Sequence, residues 1–177
     1  MNVVLIGYRG TGKTVAGKIV ARRLGMKYMG MDAEIVKTAG LPIPQIVETY
    51  GWKIFRDMES KKAHELGEMD NIIIDTGGGI IERSENIATL QKNALIFWLK
   101  ASVDTIVSRI QGDTDRPALT HGKTFIEEIE DVLAQRVSEY KNAAQYEIDT
   151  DSLTPNDVAE RIIEIVSKAH GKRQDQK

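Results

Sequence analysis

Short apolar runs alternate along this chain with stretches in which apolar residues recur every three or four positions. Val3 to Ile6 is an apolar run closed by Gly7, the pattern of a buried strand. Over 12–24, Val15, Ile19, Val20 and Leu24 share a helical spacing while Lys18, Arg22 and Arg23 are polar, and Gly25 supplies a stop. A second strand is predicted over Lys27–Gly30. Residues 32–66 read as several helices, with Asp32 a candidate cap, Gly40 a stop and Pro44 in the first turn of the next helix. Ile72–Asp75 and Ala94–Leu99 are two further buried strands, and Val103, Ile106, Val107 and Ile110 give a helix over 102–110.

The segment 112–123 breaks the pattern with two glycines, a proline and several charges, which predicts a mobile loop. Helical spacing returns with Ile126, Ile129, Val132, Leu133 and Val137, and Tyr146–Ile148 is a short fifth strand. Thr154-Pro155-Asn156-Asp157 combines a cap residue, a first-turn proline and an acid three residues after the cap. The helix it starts is expected to run to about Ala169, with 170–177 a polar, disordered tail. Strands alternating with helices predict an α/β domain over 1–169, with a parallel sheet covered on both faces.

Composition narrows the field only slightly. The 177 residues are 41% hydrophobic and 28% charged, with 24 basic and 26 acidic side chains and a formal net charge of -2. That balance gives no general reason to expect nucleic-acid or membrane binding. No apolar run approaches the length of a membrane span. The first residues carry neither a basic region nor a cleavage site, so no targeting segment is expected and a cytoplasmic location is. The absence of cysteine removes disulfides and thiolate metal sites.

The decisive chemistry is Gly7-Tyr8-Arg9-Gly10-Thr11-Gly12-Lys13-Thr14, which fits G-x-x-x-x-G-K-[ST] at every fixed position. Glycines let successive backbone N–H groups turn inward around a phosphate, and the following helix adds its positive end. Lys13 reaches the β and γ phosphates, and the Thr14 hydroxyl is suited to Mg²⁺. The loop establishes nucleotide handling but does not by itself separate kinases from ATPases or GTPases.

Four further segments follow in order: Met31-Asp32-Ala33-Glu34-Ile35, Phe55-Arg56-Asp57-Met58-Glu59, Asp75-Thr76-Gly77-Gly78-Gly79 and Asp115-Arg116-Pro117-Ala118-Leu119. With the phosphate loop, the set resembles the shikimate kinase family over residues 1–168. The resemblance implies a three-layer P-loop kinase fold with a five-stranded parallel sheet, substrate-binding helices over 32–66 and a mobile lid over 112–123. It also implies transfer of the γ-phosphate of ATP to the 3-hydroxyl of shikimate, with Mg²⁺ as cofactor. A monomer is expected.

On the residues themselves, Asp32 suits either a helix cap or a carboxylate that orients a hydroxyl and takes its proton. Arg56 is either a solvated arginine or a bidentate carboxylate ligand, with Glu59 one turn away to hold it. The glycines 77–79 suit a sharp turn or a close backbone approach to a ligand. The resemblance assigns substrate binding to Asp32, Arg56, Gly77, Gly78, Gly79 and Arg136. It assigns ATP binding to Gly10, Thr11, Gly12, Lys13, Thr14, Val15, Arg109, Arg116 and Pro155, although the capping motif alone already explains Pro155. Lys13, Asp32 and Arg116 are the implied catalytic groups.

One position departs from the family. Where the family usually reads Asp-x-Asp, this chain has Gly30-Met31-Asp32. The first carboxylate normally helps hold Mg²⁺. Asp75, at the end of a buried strand, is a candidate replacement beside Thr14, or only a group that bonds to the glycine turn. A gluconate- or nucleotide-type acceptor, and a nucleotide-binding regulatory module without catalysis, stay open as alternatives at this level.

Overall fold

The computed structural model describes residues 1–110 and 124–174. The segment expected to form a lid, with Arg116, lies outside the described residues. Five strands, β1 (Asn2–Ile6), β2 (Lys27–Gly30), β3 (Ile72–Asp75), β4 (Ala94–Lys100) and β5 (Tyr146–Asp149), form one sheet in the order β2-β3-β1-β4-β5. Every pairing is parallel. Among the described residues seven α-helices flank it: α1 (Lys13–Leu24), α2 (Met31–Ala39), α3 (Ile43–Gly67), α4 (Ser84–Leu90), α5 (Val103–Ile110), α6 (Phe125–Ala143) and α7 (Pro155–Gln174).

A parallel sheet buried on both faces needs apolar residues at consecutive positions, and β1 buries all five of its residues. Alternate residues serve opposite layers. Val3, Leu5, Ile73, Phe97 and Leu99 pack with α1 and α7, and Val4, Ile6, Ile74, Ile96 and Trp98 pack on the other face with α3, α4 and Tyr140. A separate cluster of Ile35, Ile43, Ile46 and Phe55 holds α2 against α3. The chain leaves β1 for β2 and β3 on one side of the sheet, then crosses to β4 and β5 on the other. β1 is therefore the topological switch point, and a crevice for ligands is expected at its carboxyl end.

The punctuation signals act where the sequence places them. Gly25 and Gly40 end α1 and α2 in the left-handed conformation. Pro44 sits in the first turn of α3, and Gly51, with φ 80° and ψ 164°, divides that helix into two stretches. Thr154 and Asp157 bond reciprocally at the start of α7.

Some expectations shift. Asp32 does not cap α2: the helix starts directly at the end of β2, Gly30 takes the cap position without a side-chain bond, and Asp32 falls in the first turn. Val15 and Val137 follow helical spacing but are 52% and 42% exposed; Ala16, Gly17, Val20 and Ala21 are the buried face of α1. α4 was not anticipated, because a seven-residue helix with Ile87 and Leu90 as its apolar pair carries too little period to stand out. α7 runs to Gln174 rather than ending near Ala169.

Phe97 lies fully buried in β4 and stacks on Tyr146 with ring centroids 5.1 Å apart. Phe97→Ala is expected to cost about 3–5 kcal/mol through lost burial and a cavity. Urea denaturation should show a lower midpoint with an unchanged slope. A midpoint within error of the parent would show that this layer is not part of the core.

Candidate active site

The phosphate loop between β1 and α1 is built on backbone that other residues resist. Gly7, Gly10 and Gly12 have φ of 138°, 79° and 90°. Lys13 is buried and its Nζ donates to the carbonyls of Gly7 and Tyr8, each at 2.9 Å. The Thr11 hydroxyl donates to the Tyr8 carbonyl at 2.8 Å. No acidic residue of α1 itself occupies its first turn. The loop frames a cavity of about 400 Å³ whose lining includes Lys13, Thr14, Lys18, Tyr28, Asp32 and Asp75. Val15, exposed at the start of α1, borders the same space.

Arg109 of α5 donates to the Gly10 carbonyl at 3.2 Å and to the Thr150 carbonyl at 2.8 Å. It ties the phosphate loop to the connection between β5 and α7, whose first residue is the exposed Pro155.

The carboxylate anticipated next to Thr14 is in place. Asp75 Oδ2 accepts from the Thr14 hydroxyl at 2.6 Å and from the Tyr28 hydroxyl at 2.6 Å. Burial, then the charge and hydrogen bond of Asp75, push the Tyr28 phenol well above its usual pKa, so it stays a proton donor. Gly30 and Asp75 are register partners on β2 and β3. A Cβ added at Gly30 would lie 3.4 Å from the Tyr28 hydroxyl. The space of a side chain at position 30 is thus partly taken by the phenol that Asp75 holds.

These donors suit Mg²⁺. A hydroxyl and one carboxylate facing a cavity beside a phosphate loop are hard oxygen ligands of the kind Mg²⁺ takes together with phosphates and water. Among the described residues there is no group of three or more His, Cys, Asp or Glu of the kind that would form a dedicated cage.

A second cluster adjoins the loop. The turn Gly77-Gly78-Gly79 is buried, and a Cβ added at Gly78 would lie 3.5 Å from the Gly7 carbonyl and 3.7 Å from the Tyr8 Cα. Tyr140 of α6 is fully buried and donates to the Gly78 carbonyl at 2.5 Å. At Gly79, whose φ is −93°, an added Cβ would meet the guanidinium of Arg56, the far end of a flexible side chain, so the two lie in close approach.

Arg56 is held from three sides. Its Nη1 donates to Glu59 one turn along α3, and its Nε and Nη2 bond Glu82 at 2.7 and 3.0 Å. The Trp52 and Phe55 rings lie 5.3 and 5.6 Å from the guanidinium carbon. Arg136, on α6, donates through Nη2 to Glu82 Oε1, the oxygen that also accepts from Arg56 Nη2. Burial raises the Glu59 carboxyl above the usual range, against the opposing pull of Arg56.

Sequence reasoning brought Lys13, Thr14, Asp32 and Asp75 to one cavity, and Arg56, Arg136 and the glycine turn to the adjoining cluster. It missed Tyr28, whose only signal was its place two residues before Gly30 on the same strand. It missed Glu82 as well, which sits in a 3₁₀ turn with no motif around it. Arg9, unremarked within the loop motif, stacks on the Phe125 ring at 5.5 Å and so links the loop to α6.

The shikimate kinase family model matches residues 9–167. This chain belongs to the shikimate kinase family. A shikimate kinase of Caldicellulosiruptor bescii is 38% identical over 97% of this chain and 99% of its own length. One of Thermodesulfovibrio yellowstonii is 40% identical over 92% of each. Among solved structures, a shikimate kinase from Acinetobacter baumannii in complex with shikimate superposes with a TM-score of 0.90 at 30% identity, covering 95% of this chain and 93% of that one. A gluconokinase from Sinorhizobium meliloti reaches a TM-score of 0.59 at 11% identity and shares the fold alone. Gly30 has an acidic register partner, Asp75, on the next strand.

The buried Glu59 makes Arg56 a structural residue. Arg56→Met is expected to destabilise the protein by about 3 kcal/mol, because it leaves a desolvated carboxylate without its partner. Adding Glu59→Gln should restore most of that loss. Urea denaturation of the two single variants and the double variant checks this; simple additivity would overturn it.

Proposed function

We infer that this protein is a shikimate kinase, transferring the γ-phosphate of ATP to the 3-hydroxyl of shikimate and releasing shikimate 3-phosphate and ADP. The observation that carries the reading is the convergence of Arg56 and Arg136 on one carboxylate beside a glycine turn that touches the phosphate loop. Guanidinium groups bind carboxylates through paired N–H donors. An acceptor with a carboxylate at one end and hydroxyls at the other fits a site with these arginines on one side and Asp32 and the loop on the other.

In this reading the amides of Gly10, Thr11, Gly12, Lys13, Thr14 and Val15 cradle the β and γ phosphates. Lys13 leaves the carbonyls of Gly7 and Tyr8 to bond the transferred phosphate. Asp32, from the first turn of α2, orients the 3-hydroxyl and takes its proton. Arg56, Arg136 and the backbone of Gly77, Gly78 and Gly79 fix the ring and carboxylate. Arg109 and Pro155 border the base, and Arg116 adds positive charge to the transferring group. Thr14 and Asp75 would hold Mg²⁺, which when bound draws charge from the phosphate oxygens. Transfer is direct and in line, and most of the rate comes from positioning and charge stabilisation.

The segments 32–66 and 112–123 serve as substrate-binding helices and lid within one P-loop kinase domain. We take the protein to act as a monomer in the cytoplasm, where ATP is held. None of the described helices is long and apolar enough to cross a membrane. The regulatory-module alternative leaves the paired arginines without a purpose, and the gluconate alternative rests on a likeness of fold.

Two measurements test the reading. ADP release with ATP, Mg²⁺ and separate additions of shikimate, quinate and gluconate should depend on shikimate; release that ignores shikimate would overturn it. Asp75→Asn should raise the Mg²⁺ concentration for half-maximal turnover roughly tenfold, about 1.4 kcal/mol of lost support. An unchanged Mg²⁺ dependence would remove Asp75 from the metal site.

A further inference from the structure

The carboxylate that brings Arg56 and Arg136 together is the protein's own. Glu82 follows the glycine turn by three residues, in the 3₁₀ segment Ile80–Glu82. Its Oε2 accepts from Arg56 Nε at 2.7 Å, and its Oε1 accepts from Arg56 Nη2 at 3.0 Å and from Arg136 Nη2. Glu82 thereby fills the Nε–Nη2 edge of Arg56, the edge that binds a carboxylate through two parallel bonds. Glu59 takes the remaining nitrogen, Nη1.

The four formal charges of Arg56, Arg136, Glu59 and Glu82 sum to zero. An acceptor carboxylate arriving at this cluster meets no net positive charge and no open side-on edge. One of the two glutamates must give way. Glu59 is 1% exposed at its side chain, enclosed by α3 and its surroundings, whereas Glu82 is 36% exposed and has solvent to turn into. A carboxylate that leaves this position recovers its hydration, so its departure costs little beyond the two ion pairs.

We propose that Glu82 is an internal stand-in for the substrate carboxylate: it occupies the Arg56–Arg136 pair in the empty site and competes with the acceptor for it. This rests on the reading that these arginines bind the carboxylate of shikimate. Glu82 lies between two guanidinium groups that would otherwise repel each other, and it keeps them at carboxylate spacing until the acceptor takes over. It also sets selectivity. A ligand without a carboxylate gains nothing by displacing Glu82, so neutral polyols are disfavoured at the cost of some affinity for the true acceptor.

The test is calorimetric binding of shikimate and of its carboxamide, which lacks the charge, to the parent protein, Glu82→Ala and Glu82→Gln, with thermal melts to confirm folding. Both variants are expected to bind shikimate roughly three- to tenfold more tightly, the range for removing a competing, partly exposed ion pair. The carboxamide should gain nothing. In steady-state assays the variants should lower KM for shikimate and leave kcat close to the parent value. If both variants bind shikimate equally or more weakly while the parent still prefers the acid to the amide, Glu82 holds the arginines in place rather than competing, and the proposal is wrong. A gain shared by acid and amide overturns it too, since competition for the carboxylate site would not reach the amide. If the parent does not distinguish acid from amide, it is the arginine–carboxylate reading that has failed.

Discussion

The site depends on one close backbone approach, that of the turn after β3 to the loop after β1. The Thr76 backbone N–H and hydroxyl both donate to the Leu5 carbonyl, at 3.2 and 2.9 Å, so the sheet ladder continues just past the end of β3. Gly78 is then carried against Gly7 and Tyr8, and Tyr140 locks its carbonyl from α6. The phosphate end and the carboxylate end of the site are thus two sides of one packed contact. Their separation is fixed by strand pairing rather than by mobile side chains, which suits a transfer whose rate comes mostly from positioning.

Around this contact the charged groups are arranged by burial. Glu59 is fully buried and desolvated, so it serves as a fixed partner for Arg56; removing Arg56 leaves it stranded. One Glu59 oxygen, Oε1, has no hydrogen-bond partner among the described residues, a further sign that this carboxylate is held for its effect on Arg56. Arg136 is held differently, with its charge met by the partly exposed Glu82. More of the fold therefore rests on Arg56 than on Arg136.

How much of this could be read from the sequence follows from how local each feature is. The phosphate loop is eight consecutive residues whose geometry is set by its own glycines, and it was fully legible. The Arg56–Glu59 pair lies within one helical turn and was legible for the same reason. The strands were found wherever apolar residues ran together, including short β5. Glu82 was not legible: its role exists only because α3 and α6, 26 and 54 positions away along the chain, both reach the turn after β3. Tyr28 was missed because a tyrosine on an edge strand looks like ordinary packing until its register with β3 is known. The helix α4 failed for want of length. The part played by Arg116 falls outside the described residues.

The glycine at position 30 looks at first like a lost function, and strand register changes that view. Gly30 and Asp75 sit opposite each other on neighbouring parallel strands, and in a parallel pair register partners point to the same face. A carboxylate moved from one to the other travels about 4.8 Å sideways along the hydrogen-bonding direction and still faces the first turn of α1. Thr14, in that first turn, donates to it. The Tyr28 hydroxyl reaches across from the strand of Gly30 and donates to the Asp75 carboxylate. Gly30, Asp75 and Tyr28 thus form one unit across two strands, and the carboxylate beside Thr14 is supplied by β3.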